Sequence, residues 1–459
     1  MSIKKRILSG VIALTCLVGL CGCSGGKSSK GDVRTITVWS GESHSKAVYD
    51  KLIKEYNEGQ GKKDGIYIDY QVKEGSSSSQ NVELALQTND APDFFSGDLT
   101  KLAQLGKIAA LEDLPNNDEY MKKCEELGLL IDRYEENGKH YAIPCATTTR
   151  GLIYNKDMFK DAGIVDEKGE AKPPVTWAEM VECAKKLTNA DKKQYGYCLP
   201  LKWSGVVSGE MVDPAMASIG SRGYNFATGT YEYEKMAPIF DAFKQMYKDG
   251  SCYPGAESLD NDQCRAYFSA GRIGMKIGFS FDVGVLNDQF PAECDWGVAP
   301  LPVIDENDRY LQPMLPASSF LMNAASVKEY PEEMRKVNEF FTSDEFLSAI
   351  YKEGVYIPYR ADVIEKTTLD KNAKTGWKEF GDMVAISAIP PISANADTGN
   401  LKAIQDLFVQ NVLTGKQTSA EMLTQYSKDY QACKDLYYKN HPDEDPTEHD
   451  IKDYDIRRK

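Results

Sequence analysis

Ile36-Thr37-Val38-Trp39-Ser40-Gly41-Glu42 alternates apolar and polar residues and then breaks at a glycine, as a strand does where it runs into a loop. Tyr49, Leu52, Ile53 and Tyr56 follow at i, i+3, i+4 and i+7, which predicts an amphipathic helix. Tyr67 to Val72 reads as a second strand, Gln80 to Gln87 as a second helix, and Pro92-Asp93-Phe94-Phe95 as a short buried strand. Strand, helix, strand, helix, strand is an α/β pattern and predicts a mainly parallel sheet. Ligands of such sheets gather beyond the carboxyl ends of the strands. Ser40-Gly41-Glu42 and Ser96-Gly97-Asp98 are therefore expected at the mouth of a crevice. There Glu42 and Asp98 are either acceptors for ligand hydroxyl groups or solvated loop carboxylates.

The pattern repeats downstream. Leu152-Ile153-Tyr154-Asn155 is a strand, and Thr176-Trp177-Ala178-Glu179 has the form of a capping box. Trp177, Met180, Val181, Ala184 and Leu187 then line one helix face, and Met236, Ile239, Phe240, Phe243, Met246 and Tyr247 line another, closed by Gly250. Both stripes read as core. Gly274 to Gly278 is a strand leading to Phe279-Ser280-Phe281, and the last 120 or so residues read as mostly helical, with a second capping box at Thr418 to Glu421. Asp443 to Lys459 is charged and reads as a loose end. Trp203 follows the strand Tyr197 to Leu201 and sits near Gly205 and Gly209. It is either a stacking platform, with the glycines letting a ligand approach the backbone, or a core residue.

The amino terminus has the form of an export signal, so the chain is expected outside the cytoplasm. Lys4, Lys5 and Arg6 precede an apolar run from Ile7 to Leu20, and Leu20-Cys21-Gly22-Cys23 follows. Charged, apolar, then small is the order of a secretory signal, and the run is too short for a comfortable membrane span. Gly22 before Cys23, with Leu20 three residues back, resembles a bacterial lipobox. This reading makes residues 1–22 a signal peptide, Cys23 the lipidated residue, and residues 23–32 a Gly/Ser-rich tether. The whole chain of 459 residues has a net charge of −15, and loss of the three leader cations takes it to −18. So acidic a body argues against nucleic acid and against docking on anionic lipid, so the membrane is reached through the anchor only. A body of this length implies two lobes.

Eight cysteines lie beyond Cys23. An even number in an exported chain is compatible with one or two disulfides or with none, and sequence does not decide the pairing. None of the four histidines, His44, His140, His441 and His449, belongs to a catalytic or zinc-binding motif. No catalytic residue, metal site or cofactor is expected.

Tyr141-Ala142-Ile143-Pro144 and Gly151 to Phe159, continued by Ala162-Gly163-Ile164 and Pro174 to Leu187, resemble the family 1 extracellular solute-binding proteins of bacterial ABC sugar importers, the maltose-binding-protein-like family. Four further blocks resemble it in the same order. They are Pro92 to Asp98 with Leu105 to Ile108, Phe268 to Phe281, Trp296 to Pro302, and Phe341 to Phe346 with Tyr356-Ile357-Pro358. The resemblance implies a two-lobed periplasmic-binding-protein-like α/β fold, each lobe a mainly parallel sheet flanked by helices. Lobe 1 is expected over residues 33–147 plus 304–352 and lobe 2 over 150–300 plus 357–445, followed by a charged tail at 446–459. Crossings are expected near Thr147–Arg150, Pro300–Ile304 and Lys352–Ile357.

It further implies a monomeric, non-catalytic receptor on the extracellular face of the cytoplasmic membrane. Such a receptor captures a carbohydrate, an oligosaccharide in this reading, and passes it to ABC permease subunits. The residues expected to hold the ligand are Glu42, Asp98, Arg150, Trp203, Phe279, Phe281 and Ser318, with Ser319 beside the last. Arg150 either touches ligand or braces the hinge, and Phe279 and Phe281 stand where many sugar binders have Trp. A secreted glycoside-active enzyme stays open as an alternative. So does the same receptor fold for a polyamine, an amino-acid derivative or a glycerol phosphate.

Overall fold

The computed structural model describes residues 33–41, 45–73, 77–88 and 90–458. The leader, Cys23, the tether and Glu42 lie outside the described residues.

The first sheet runs in the order Ile66–Val72, Arg34–Ser40, Phe94–Phe95, Leu321–Asn323, Ile108–Ala109. Its first three strands are parallel, as expected, and Leu321–Asn323 is antiparallel to both neighbours. Alternation puts Ile36 and Val38 wholly inside, against Ile53 and Tyr56 of the helix Lys46–Glu58 and against Met334, Val337 and Phe341. Buried Asp93 fastens this lobe. Its carboxylate accepts from Thr37 N at 2.7 Å, from Thr37 Oγ1 at 2.9 Å and from Ser326 Oγ at 2.6 Å, and it also takes the Tyr330 hydroxyl. A buried carboxylate is tolerated where this many donors replace water.

The second sheet runs Trp296–Ala299, Arg150–Asn155, Ile273–Phe279, Tyr195–Tyr197. Here the expected mainly parallel arrangement gives way to two antiparallel ladders and one parallel one. The cause is the route of the chain. Arg150–Asn155 enters directly from the inter-lobe crossing, so it starts at the end where Ile273–Phe279 finishes, and Arg150 pairs with Phe279. Trp177–Leu187 and Ala237–Lys248 cover this lobe. The Thr176/Glu179 capping box is formed, and Trp177 meets Phe243 edge to face at 5.3 Å.

Three short strands join the lobes. Pro144–Thr148 lies between Leu315–Ser318 and Ile357–Pro358, antiparallel to both. The middle crossing therefore falls at Leu315–Ser318 and not at Pro300–Ile304. Leu301 and Val303 are buried in the core of the second lobe, and Val303 exchanges backbone bonds with Val175 and Trp177. Gln312–Pro313 still pairs with Ser387–Ala388. Pro300 follows the end of the strand Trp296–Ala299, but Leu301 and Val303, between and after the prolines, belong to the core.

Cys198 and Cys264 form a disulfide that ties the exit of Tyr195–Tyr197 to the helix Asn261–Ser269. Cys183 is buried and free. The carboxyl-terminal tail is not loose. Ile451 N donates to Phe226 O, Leu311 N to Ile456 O, and Arg458 N to Arg309 O. The Tyr454 ring lies 4.7 Å from that of Phe226, and Asp450 accepts from the Tyr224 hydroxyl at 2.8 Å. Charge suggested solvation here, but the Tyr454 ring docks on the core of the second lobe and backbone bonds hold the segments on either side of it. Among the described residues no helix is long and apolar enough to cross a membrane.

Candidate functional site

Two faces meet at the hinge, each built from strand ends. On the second lobe, Phe279 closes its strand and Arg150 opens the neighbouring one. The Arg150 guanidinium carbon lies 5.0 Å from the centre of the Phe279 ring. Phe281 stacks on Phe279 with centroids 4.9 Å apart and planes 11° apart, and it is 50% exposed. Trp203 meets the Phe279 ring edge to face at 6.3 Å. Arg265 lies 5.6 Å over Phe281. Four of the sequence candidates, Arg150, Trp203, Phe279 and Phe281, thus form one aromatic ledge braced by guanidinium groups.

The glycines near Trp203 have a different job from the one expected. A Cβ at Gly205 would lie 2.5 Å from indole Cζ2, and one at Gly209 would lie 2.4 Å from Cζ3. They seat the indole and do not open the backbone to a ligand. The π-helical turn Val207–Met211 that carries Gly209 also brings Glu210 beneath the ledge.

Charges support the ledge from below. Asp282 is fully buried and accepts from Arg265 Nε at 2.8 Å and from Phe279 N at 3.0 Å, with Lys276 Nζ 3.7 Å away. Gly278 makes this approach possible, since a Cβ there would lie 2.8 Å from Asp282 Oδ2. Glu210 accepts the Tyr197 hydroxyl. Burial pushes its carboxyl up to about 7, against the pull of Lys276 and of the Tyr197 hydrogen bond. Its second oxygen has no partner. Arg150 is 1% exposed and donates to Asp213 at 2.9 Å, while Nε and Nη1 have no partner. Burial lowers its pKa and Asp213 opposes the shift.

On the first lobe, Ser40, Ser96 and Gly97 stand at the carboxyl ends of their strands. With Ser318, Ser319 and Tyr134 they line a cavity of about 510 Å³. Ser318 is therefore brought to the crevice mouth that Ser40 and Ser96 predicted. Asp98 is exposed, is not among the residues lining that cavity, and caps the helix Leu99–Gln104 by accepting from Lys101 N at 3.2 Å. Aspartate three residues before a helix N3 amide is an N-cap pattern, and that is how this position is used. Arg133, which also lines the cavity, was not read from sequence, since no motif marks it.

Comparison with known proteins agrees with this fold. Over 268 residues the chain is 27% identical to a binding protein of Brucella abortus. That alignment covers 54% of this chain and 62% of the relative, so the chain spans less than two thirds of that relative's length. The sn-glycerol-3-phosphate-binding periplasmic protein of Agrobacterium fabrum is 25% identical over 402 residues, covering 82% of this chain and 86% of the relative. The extracellular solute-binding protein of Staphylococcus aureus, solved in complex with maltose, shares the fold. Its TM-score is 0.63 at 18% identity, over 90% of this chain and all of that one. The model of the bacterial extracellular solute-binding proteins matches residues 40–347. The two-lobed architecture, the crossings and this match agree: the chain belongs to the bacterial extracellular solute-binding protein family.

Proposed function

We propose that this protein is a lipid-anchored receptor that captures a carbohydrate, an oligosaccharide, between its lobes and delivers it to an ABC transporter permease. The observation that carries the reading is the aromatic ledge. Phe281 is half exposed on Phe279, beside Trp203, at the strand ends of one lobe. Serines at the strand ends of the other lobe supply hydroxyl partners. Aromatic faces pack on the C–H faces of sugar rings, and short polar side chains bond their hydroxyl groups. The maltose held by the Staphylococcus aureus relative supports the ligand class. Arg150 and Arg265 lie against the rings of the ledge, and the carboxylates paired with them, Asp213 and Asp282, are buried, which favours an uncharged sugar over a polyamine at the rings. The Leu20-to-Cys23 motif supports the anchor, and a lobe 1 and lobe 2 that share the three crossings support closure on ligand.

The test is a thermal-shift and calorimetric screen of the full chain against a carbohydrate panel. A ligand that binds only the folded state adds about 2.7 kcal/mol at about a hundredfold excess over Kd. It is expected back chemically unchanged. Hydrolysis of a sugar by the pure protein would replace the receptor with the enzyme reading. For the anchor, Cys23→Ala is expected to release the protein from the membrane fraction, and equal fractionation of both forms excludes lipidation at Cys23.

A further inference from the structure

We propose that the second lobe holds an anion-recognising pocket next to the ledge, and that the ligand is an acidic sugar whose ring carboxylate it takes. This rests on the carbohydrate reading above and narrows it.

The pocket is a cavity of about 270 Å³. Tyr224, Phe226, Tyr231, Tyr233, Tyr430 and Tyr454 stand in its wall, with the Tyr231 and Tyr430 rings 4.4 Å apart and the Tyr224 ring 5.1 Å from Phe226 and 5.0 Å from Tyr231. Its volume lies just under the range of about 300–1,000 Å³ that suits a drug-sized ligand, which leaves room for one sugar ring. The charged residues of the wall are Asp213 and Arg222.

Asp213 joins this cavity to the ledge. One of its oxygens holds Arg150 at 2.9 Å, and the other lies 3.8 Å from Arg222. One carboxylate therefore serves two guanidinium groups, and one positive charge is left uncompensated in a chain whose net charge is −15. Arg150 sits against Phe279 with two nitrogens unpartnered, although it is almost wholly buried. A buried charge left in this state is costly unless an acceptor arrives. Arg222 lies outside hydrogen-bond distance of Asp213 and stays partly exposed, so its planar fork is able to turn onto a ligand.

An arginine fork fits a carboxylate in two parallel bonds. Aromatic walls fit the faces of a ring. Together they describe a hexuronate unit, with Arg222 on the carboxylate and the tyrosines on the ring, while the rest of the oligosaccharide lies along Phe279 and Phe281. Tyr454 belongs to the docked tail, so the tail completes the wall.

Calorimetry on the full chain tests this with glucuronate-, galacturonate- and mannuronate-containing di- and trisaccharides, each beside its carboxyl-reduced neutral counterpart. At least one acidic member is expected to bind tenfold or more tighter than its reduced form, and that margin is expected to shrink as salt rises. Arg222→Gln is expected to bring the ratio to about one, Arg222→Lys to keep part of it, and the ligand-free melting temperature to stay in place for both. Reduced forms that bind as tightly as acidic ones overturn the acidic-sugar assignment and leave the sugar receptor standing. A sugar phosphate that binds tighter than every uronate overturns the carboxylate assignment. If no sugar of either class binds, the carbohydrate reading falls and takes this one with it.

Discussion

Trp203 meets Phe279 edge to face, ring centroids 6.3 Å apart, and holds that place because Gly205 and Gly209 present no side chains beneath its indole. The orientation of the ledge is therefore set by two residues with no side chain to touch a ligand. Removing an aromatic anchor from a binding site costs on the order of 2 kcal/mol, about thirtyfold in affinity, and this is the expectation for Trp203→Ala. Gly209→Ala is expected to weaken sugar binding by on the order of tenfold by pushing the indole aside. The double variant is expected to be no weaker than Trp203→Ala alone, because both changes act through one ring. Calorimetric titration of the three variants checks this, and additive losses would separate Gly209 from the ledge.

Glu210 makes stability fall with pH. Its folded pKa stands near 7, above its ordinary value of 4.5. Below the ordinary value both states are protonated and the group contributes no pH dependence. Between about 4.5 and about 7 the folded state binds the proton more tightly, so raising pH through this window removes stability, on the order of 3 kcal/mol at most. Glu210→Gln keeps an acceptor for Tyr197 and removes the titration. The difference in unfolding free energy, variant minus wild type, is expected to grow in favour of the variant from pH 5 to pH 8. Denaturant melts across that range check it, and a flat difference would show a carboxyl with an ordinary pKa.

Deleting residues 446–459 is expected to lower the melting temperature by several degrees. The deletion removes the Tyr454 ring from Phe226 and the backbone bonds at Ile451, Ile456 and Arg458. Burial of one such side chain contributes about 2 kcal/mol, and Tyr454→Ala alone is expected to reproduce most of the loss. A scanning melt of both variants decides, since a truly loose tail would leave the temperature unchanged.

What was legible in the sequence was what local spacing determines. The alternation at Ile36 to Trp39, the helix stripe through Tyr56, and both capping boxes appear where periodicity and side-chain reach put them. At the candidate site, the position of Phe279 after the strand from Gly274 was legible for the same reason, whereas Arg150 was read as part of a crossing and instead opens a strand, and no local pattern marked Ser318 as a strand end. Contacts between distant segments were not legible. Nothing local pairs Cys198 with Cys264, 66 residues on, or Tyr454 with Phe226. Asp98 shows the converse error: a carboxylate after a strand is also a carboxylate before a helix, and the nearer amide took it. Arg222 escaped notice because its meaning lies in Asp213, and that carboxylate's other guanidinium comes from position 150.

The three crossings are hydrogen-bonded side by side, Leu315–Ser318 and Ile357–Pro358 each on one edge of Pro144–Thr148. Three independent connectors would let the jaws slide, twist and splay separately. A ribbon of three strands resists shear along its ladder and stretches little, but it flexes readily across its thin dimension. In the proposed receptor, opening and closing would thereby be reduced to something near a single coordinate, like the spine of a book. An altered residue anywhere on the ribbon, even far from any ligand, would then be felt by both jaws at once and would shift the balance between open and shut.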